Sequence, residues 1–166
     1  QRPYTENEKV RTIVQDIIQN VRHNGDQTLL ELAAKFDNSP AMDSIRVTAE
    51  EIEKAGSQVE QEMKEYIQLA ADNIRKYHEA DAPSGSQVET STGVKCWSKK
   101  LPIEKVGLYI PGGNAPLFSS VLMLGIPAQI AGNQEIVICT PPKAGQVNPL
   151  ILYTADLIGI DKIYKA

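Results

Sequence analysis

The chain of 166 residues has only two cysteines, Cys96 and Cys139, and only two histidines, His23 and His78. The cysteines fall in different expected strands with no metal-type spacing. A disulfide framework is therefore not expected, and a reducing cytoplasm is the default compartment. Each histidine falls near the C-terminal end of an expected helix, where a cation suits the dipole. Neither has a second His, Asp or Glu at ligand spacing beyond what helix amphipathicity explains, so no metal site is expected in this chain. A basic excess is also missing. The 17 Lys and Arg against 21 Asp and Glu leave a net charge of −4. That argues against nucleic acid, which needs a concentrated basic face, and the doublet Lys99-Lys100 reads as a solvated strand end. The longest apolar stretch, residues 115–131, is too short for a bilayer and is interrupted by Ser119, Ser120, Gly125 and Pro127, so no membrane partner is expected. Residues 1–9 are polar and show no signal-peptide pattern. There is no internal repeat, no low-complexity tract, no GxGxxG and no P-loop.

What the chain does have is an ordinary globular balance, 42% hydrophobic and 23% charged. Its length suffices for one core that buries roughly 70% of the unfolded surface. Residues 106–142 organise the rest. A short apolar run, 106–110, breaks at Pro111-Gly112-Gly113, where no strand continues. Ser119 or Ser120 is expected to cap an apolar helix that ends near Ala131-Gly132. A second short run, 135–139, is stopped by Pro141-Pro142. Strands that are apolar without alternation read as parallel and covered on both faces. A strand–helix–strand of this length is a right-handed βαβ unit, with ligands beyond the carboxyl ends of its strands.

Upstream, Thr5 and Glu8 have capping-box spacing, and a helix carrying Val10, Ile13, Val14, Ile17, Ile18 and Val21 follows. It stops at Asn24-Gly25, and Asp26 is expected to cap a second helix with Leu29, Leu30, Ala33 and Phe36. Asp37 to Pro40 reads as a turn and residues 45–47 as a short extended piece. Thr48 with Glu51, and Ser57 with Glu60, form two further capping boxes. They open a short helix, 49–55, and a long one, about 58–80. The polar face of the long helix reads as solvated surface, and its paired carboxylates as cap and surface charges. Residues 82–86 are the clearest linker. Residues 87–91 and 94–101 alternate across Thr92-Gly93 as a hairpin, with Val88 and Thr90 facing Val94, Cys96 and Ser98. Trp97 is expected to pack under the helices or at an interface. Asn148-Pro149 starts another helix as cap and first-turn proline, which ends at Gly159. A third parallel strand follows at 161–165.

The fold class is thus α/β. A helical region (1–82) precedes a hairpin and an incomplete Rossmann-like βαβαβ unit (87–166) of a doubly wound parallel sheet. Three parallel strands with no following helix leave an open face and a bare edge, so the chain reads as the amino-terminal piece of a longer protein.

The turn after residue 110 reads either as a tight strand-to-helix connection or as a ligand loop. Glycine pairs commonly just supply positive φ, which favours the former. Tyr109 favours the latter, since an aromatic ring at a strand's carboxyl end can stack on a flat ligand. Backbone N–H groups at the start of the next helix can also receive an anion. Cys139 and Cys96 read as small hydrophobes. No complete catalytic set is visible.

The stretch VGLYIPGGNAPLFSSVLMLGIPAQIAGNQEIVICTPP resembles the signature region of the histidinol dehydrogenases. NVRHNGDQTLLELAAKFD and TGVKCWSKKLPIEKVGLYIPGG resemble the same family. The resemblance implies an enzyme of a longer chain, a zinc-containing homodimer with related Rossmann-like domains. Such an enzyme oxidises L-histidinol to L-histidine through the aldehyde with NAD, in the last steps of histidine biosynthesis. It implies that Tyr109 contacts the cofactor and that Pro111, Gly112 and Gly113 shape the loop beside it. Asn114 departs from some relatives. The zinc ligands, the Glu-His acid/base pair and a GGAQ segment that contacts NAD are expected beyond Ala166. The chain itself then carries no catalytic and no zinc-binding residue and is expected to be inactive alone. Cys96 and Cys139 need no role. The rival readings are a free-standing nucleotide-binding module and a dimerisation module built on the amino-terminal helices.

Overall fold

The computed structural model describes residues 8–37, 39, 42–81, 87–99, 101–112 and 116–166. Its centre is a three-stranded parallel sheet, β3 (Lys105–Tyr109), β4 (Glu135–Thr140) and β5 (Ile163–Lys165), in that spatial order. Helix α5 (Phe118–Ile130) connects the first pair and α6 (Pro149–Leu157) the second. Strand order follows chain order, and right-handed crossovers then place both helices on one face of the sheet. Helix α3 (Ala49–Gln58) packs on α6, and α4 (Gln61–Ala80) packs on α5. One hydrophobic cluster joins Ile138 and Ile163 of the sheet to Val121, Leu122 and Ile126 of α5, Ile151 of α6, Ile52 of α3 and Ile67 of α4. Helices α1 (Glu8–Asn24) and α2 (Asp26–Phe36) form a hairpin of their own, and strands β1 (Gln87–Ser91) and β2 (Val94–Trp97) an antiparallel ribbon.

The local chemistry explains most starts and stops. The Thr48 hydroxyl accepts from the Glu51 N–H at 3.1 Å, and the Glu51 carboxylate accepts from the Thr48 N–H at 2.8 Å, which is the expected capping box. The Asn148 side chain accepts from the Leu150 N–H at 2.9 Å, with Pro149 in the first turn, also as expected. Three expected caps are not made. Helix α5 starts one residue before Ser119, so both serines lie inside its first turn, and Leu117 sits at the cap. Asp26 is the first helical residue of α2, and Gly25, at φ 60°, takes the cap position. Ser57 belongs to α3 and donates to the Lys54 carbonyl at 2.7 Å. Val59 and Glu60 are extended, so α4 starts at Gln61 rather than near 58. The expected start at Thr5 lies outside the described residues.

Two expectations about the sheet change. Strand β3 alternates: Val106 and Leu108 are half-buried, while Lys105, Gly107 and Tyr109 are exposed. The reason is that both crossover helices of this chain cover the same face. The margin beside β5 is not bare. Residues 45–47 run antiparallel to it, with the Val47 N–H donating to the Ile163 carbonyl at 2.9 Å and the Lys165 N–H to the Ile45 carbonyl at 2.7 Å. The extended piece read from the sequence is thus an edge strand in all but length. In the ribbon, Val88 lies opposite Cys96 and Thr90 reaches Cys96 at 3.7 Å, as expected, but an irregularity between Glu89 and Ser91 sets Val94 opposite Ser91, and the second strand stops at Trp97 rather than near residue 101. Trp97 is exposed rather than buried under the helices. The apolar stripe of α1 is likewise exposed at Val10, Ile13, Val14 and Ile18 rather than placed in a core.

Candidate functional site

Strands β3 and β4 run in register from Lys105 opposite Glu135 to Tyr109 opposite Cys139. Beyond their carboxyl ends lies a cleft of about 560 Å³. That is within the range of roughly 300–1,000 Å³ typical of small-molecule and cofactor sites. Tyr109, Pro111 and Gly112 from the end of β3 and Thr140, Pro141 and Pro142 from the end of β4 form its floor. A Cβ at Gly112 would stand 2.6 Å from the Pro141 Cγ, so only glycine lets the two strand ends meet there. Alternation along β3 turns Tyr109 away from the helices, 59% exposed, with its ring free to stack on a planar group.

Two segments of opposite charge complete the lining of the cleft. Phe36 and Asp37, where α2 ends, form one. Lys143 and Gln146, followed by Asn148 at the start of α6, form the other. Lys143 and Gln146 exchange backbone hydrogen bonds of 2.8 and 3.1 Å around a two-residue turn. Both central residues have positive φ, Ala144 at 51° and Gly145 at 79°. A non-glycine residue there costs about 1–2 kcal/mol, and Ala144 is exposed, so no packing offsets it. Ala144→Asn, which tolerates this conformation, is expected to raise unfolding free energy by about 1 kcal/mol, read by urea denaturation. The buried Ser39 joins the two segments: its hydroxyl accepts from the Gly145 N–H at 3.2 Å.

Of the residues singled out in the sequence, Tyr109, Pro111 and Gly112 come together in this cleft, while Gly113 and Asn114 lie outside the described residues. Cys139 sits beside Tyr109 on the neighbouring strand but does not line the cleft. Burial pushes its thiol up, which disfavours the thiolate a nucleophile needs. Cys96 is exposed on the ribbon. The His78 ring meets Tyr77 edge-on at 5.2 Å, on α4. Among the described residues no three His, Cys, Asp or Glu side chains come together as metal ligands would. Phe36, Asp37, Lys143, Gln146 and Asn148 were not marked as site residues by sequence reasoning. Phe36 looked like an ordinary apolar helix position, Asp37 a turn residue and Asn148 only a cap. The one available signal was that the family-like segment NVRHNGDQTLLELAAKFD ends on Phe36-Asp37.

An open parallel sheet with a cleft beyond the carboxyl ends of its strands places the chain among Rossmann-like α/β proteins. The histidinol dehydrogenase family model matches residues 1–166. Histidinol dehydrogenase from Bacteroides fragilis is 52% identical over 166 residues, which are 99% of this chain and 39% of that protein. The Campylobacter jejuni histidinol dehydrogenase is 47% identical over 95% of this chain and 36% of that protein. The crystal structure of histidinol dehydrogenase from Elizabethkingia anophelis superposes with a TM-score of 0.91 at 47% identity, covering 100% of this chain and 38% of that one. The chain belongs to the histidinol dehydrogenase family. It spans about 39% of the length of the Bacteroides relative it matches.

Proposed function

We propose that these residues are the amino-terminal part of an NAD-dependent, zinc-assisted dehydrogenase that oxidises L-histidinol to L-histidine through the aldehyde. The observation that carries this reading, beside membership of the family, is the exposed Tyr109 ring over a cleft that also offers a cation, Lys143. That lining fits a dinucleotide: a flat surface for a ring and a positive charge for phosphate. When bound, NAD supplies the hydride acceptor. The role of this chain's residues is to hold and orient it. The described residues do not fit a zinc site, and this reading assigns the zinc ligands to other parts of the enzyme.

The same reading makes the enzyme a cytoplasmic homodimer. Two free cysteines agree with a reducing compartment. No described helix is long and apolar enough to cross a membrane. The exposed stripe Val10, Ile13, Val14 and Ile18 supports a partner subunit on α1. The test is histidinol-dependent NADH formation. The complete enzyme is expected to produce NADH and to lose activity when zinc is chelated, and the 166-residue chain to produce none. NADH formation by the short chain would place the catalytic groups within it and overturn the assignment.

A further inference from the structure

We propose that Asp37 selects the unphosphorylated adenosine ribose, and so makes the enzyme specific for NAD over NADP. The inference rests on the cleft being the dinucleotide site. Two features give the cleft a built-in polarity. At one wall α2 ends, so its last carbonyls and the Asp37 carboxylate bring negative charge to the same place. At the other, Lys143 and the first turn of α6 bring positive charge. A dinucleotide lying across Tyr109 satisfies both with its phosphates toward Lys143 and a ribose toward Asp37. A carboxylate there accepts hydrogen bonds from ribose hydroxyls. It repels a phosphate on the same ribose, since both groups carry negative charge. The Ser39 hydroxyl, two residues beyond Asp37, ties the segment after α2 to the Gly145 turn. Its backbone N–H, not its side chain, closes the last turn of α2, so the carboxylate is free for a ligand.

The test uses the complete enzyme and compares kcat/KM for NAD and NADP in Asp37→Asn, Asp37→Ser and the unaltered protein. The ratio of NADP to NAD is expected to rise about tenfold or more, chiefly through the KM for NADP, with the KM for histidinol unchanged. A second measurement needs no variant. AMP is expected to compete with NAD about tenfold better than adenosine 2′,5′-bisphosphate does. An unchanged cofactor ratio in both variants, or equal inhibition by the two nucleotides, overturns the role of Asp37. If Tyr109→Ala still weakens NAD binding, that failure leaves the cleft as the dinucleotide site. If Tyr109→Ala has no effect either, the site itself is misassigned.

Discussion

Ile138→Ala is expected to lower the unfolding free energy of the chain by about 3–4 kcal/mol, a large fraction of the roughly 5–15 kcal/mol a domain has. Ile138 lies in the middle of the central strand, fully buried, opposite Leu108 on one side and Ile163 on the other. It belongs to the cluster that also holds residues of α3, α4, α5 and α6. Removing three carbons there leaves a cavity with rigid elements around it, so relaxation recovers little. Val137, one residue earlier, points to the opposite face and is only half-buried. Val137→Ala is expected to cost about 1 kcal/mol or less. Urea denaturation of both variants checks the contrast. Equal losses would mean that both faces of β4 are packed alike, contrary to a sheet covered by helices on one side.

Glu51→Ala is expected to cost about 3 kcal/mol, and Lys165→Met much less. The Lys165 Nζ lies 2.6 Å from a Glu51 carboxylate oxygen, with the lysine side chain 9% exposed and the glutamate 32%. Losing the glutamate strands a buried ammonium and also removes half of the α3 capping box. Losing the lysine leaves a carboxylate that water reaches. The pair Glu51→Ala with Lys165→Met is expected to recover most of the loss. Burial alone raises the Glu51 carboxyl, but the Lys165 ammonium and the Thr48 N–H outweigh it and hold the group below its ordinary range. A depressed folded pKa means stability that is present above the unfolded pKa and fades as pH falls through the folded one. Acid unfolding of Glu51→Gln is therefore expected to be less steep than that of the unaltered chain. Identical acid profiles would remove the ion pair from the account.

Local chemistry was the legible part of this fold. The Thr48–Glu51 box and the Asn148-Pro149 start could be read because donor, acceptor and chain reversal lie within three residues. The caps at Ser57 and Ser119 or Ser120 have the same residue types, but where a helix starts depends on how the preceding segment is packed, which spacing does not encode. Tyr109 could be singled out because a strand end followed by a glycine turn marks the ligand side of a parallel sheet, and the structure puts it on the cleft. The walls of the cleft could not. Ser39 meets Gly145 across 106 positions, and Arg46 pairs with Tyr164 from a comparable distance. Nothing periodic in either segment announces its partner. The same reason hid the charge polarity, since Asp37 and Lys143 each look like ordinary turn residues until the chain brings them to one cleft.

The central claim is that the exposed ring at the end of β3 forms the floor of a dinucleotide site. Equilibrium titration of the complete enzyme with NAD, before and after Tyr109→Ala, tests it most directly. Loss of a stacking surface is expected to weaken NAD about tenfold or more while zinc content stays the same. An unchanged dissociation constant for NAD would contradict the account.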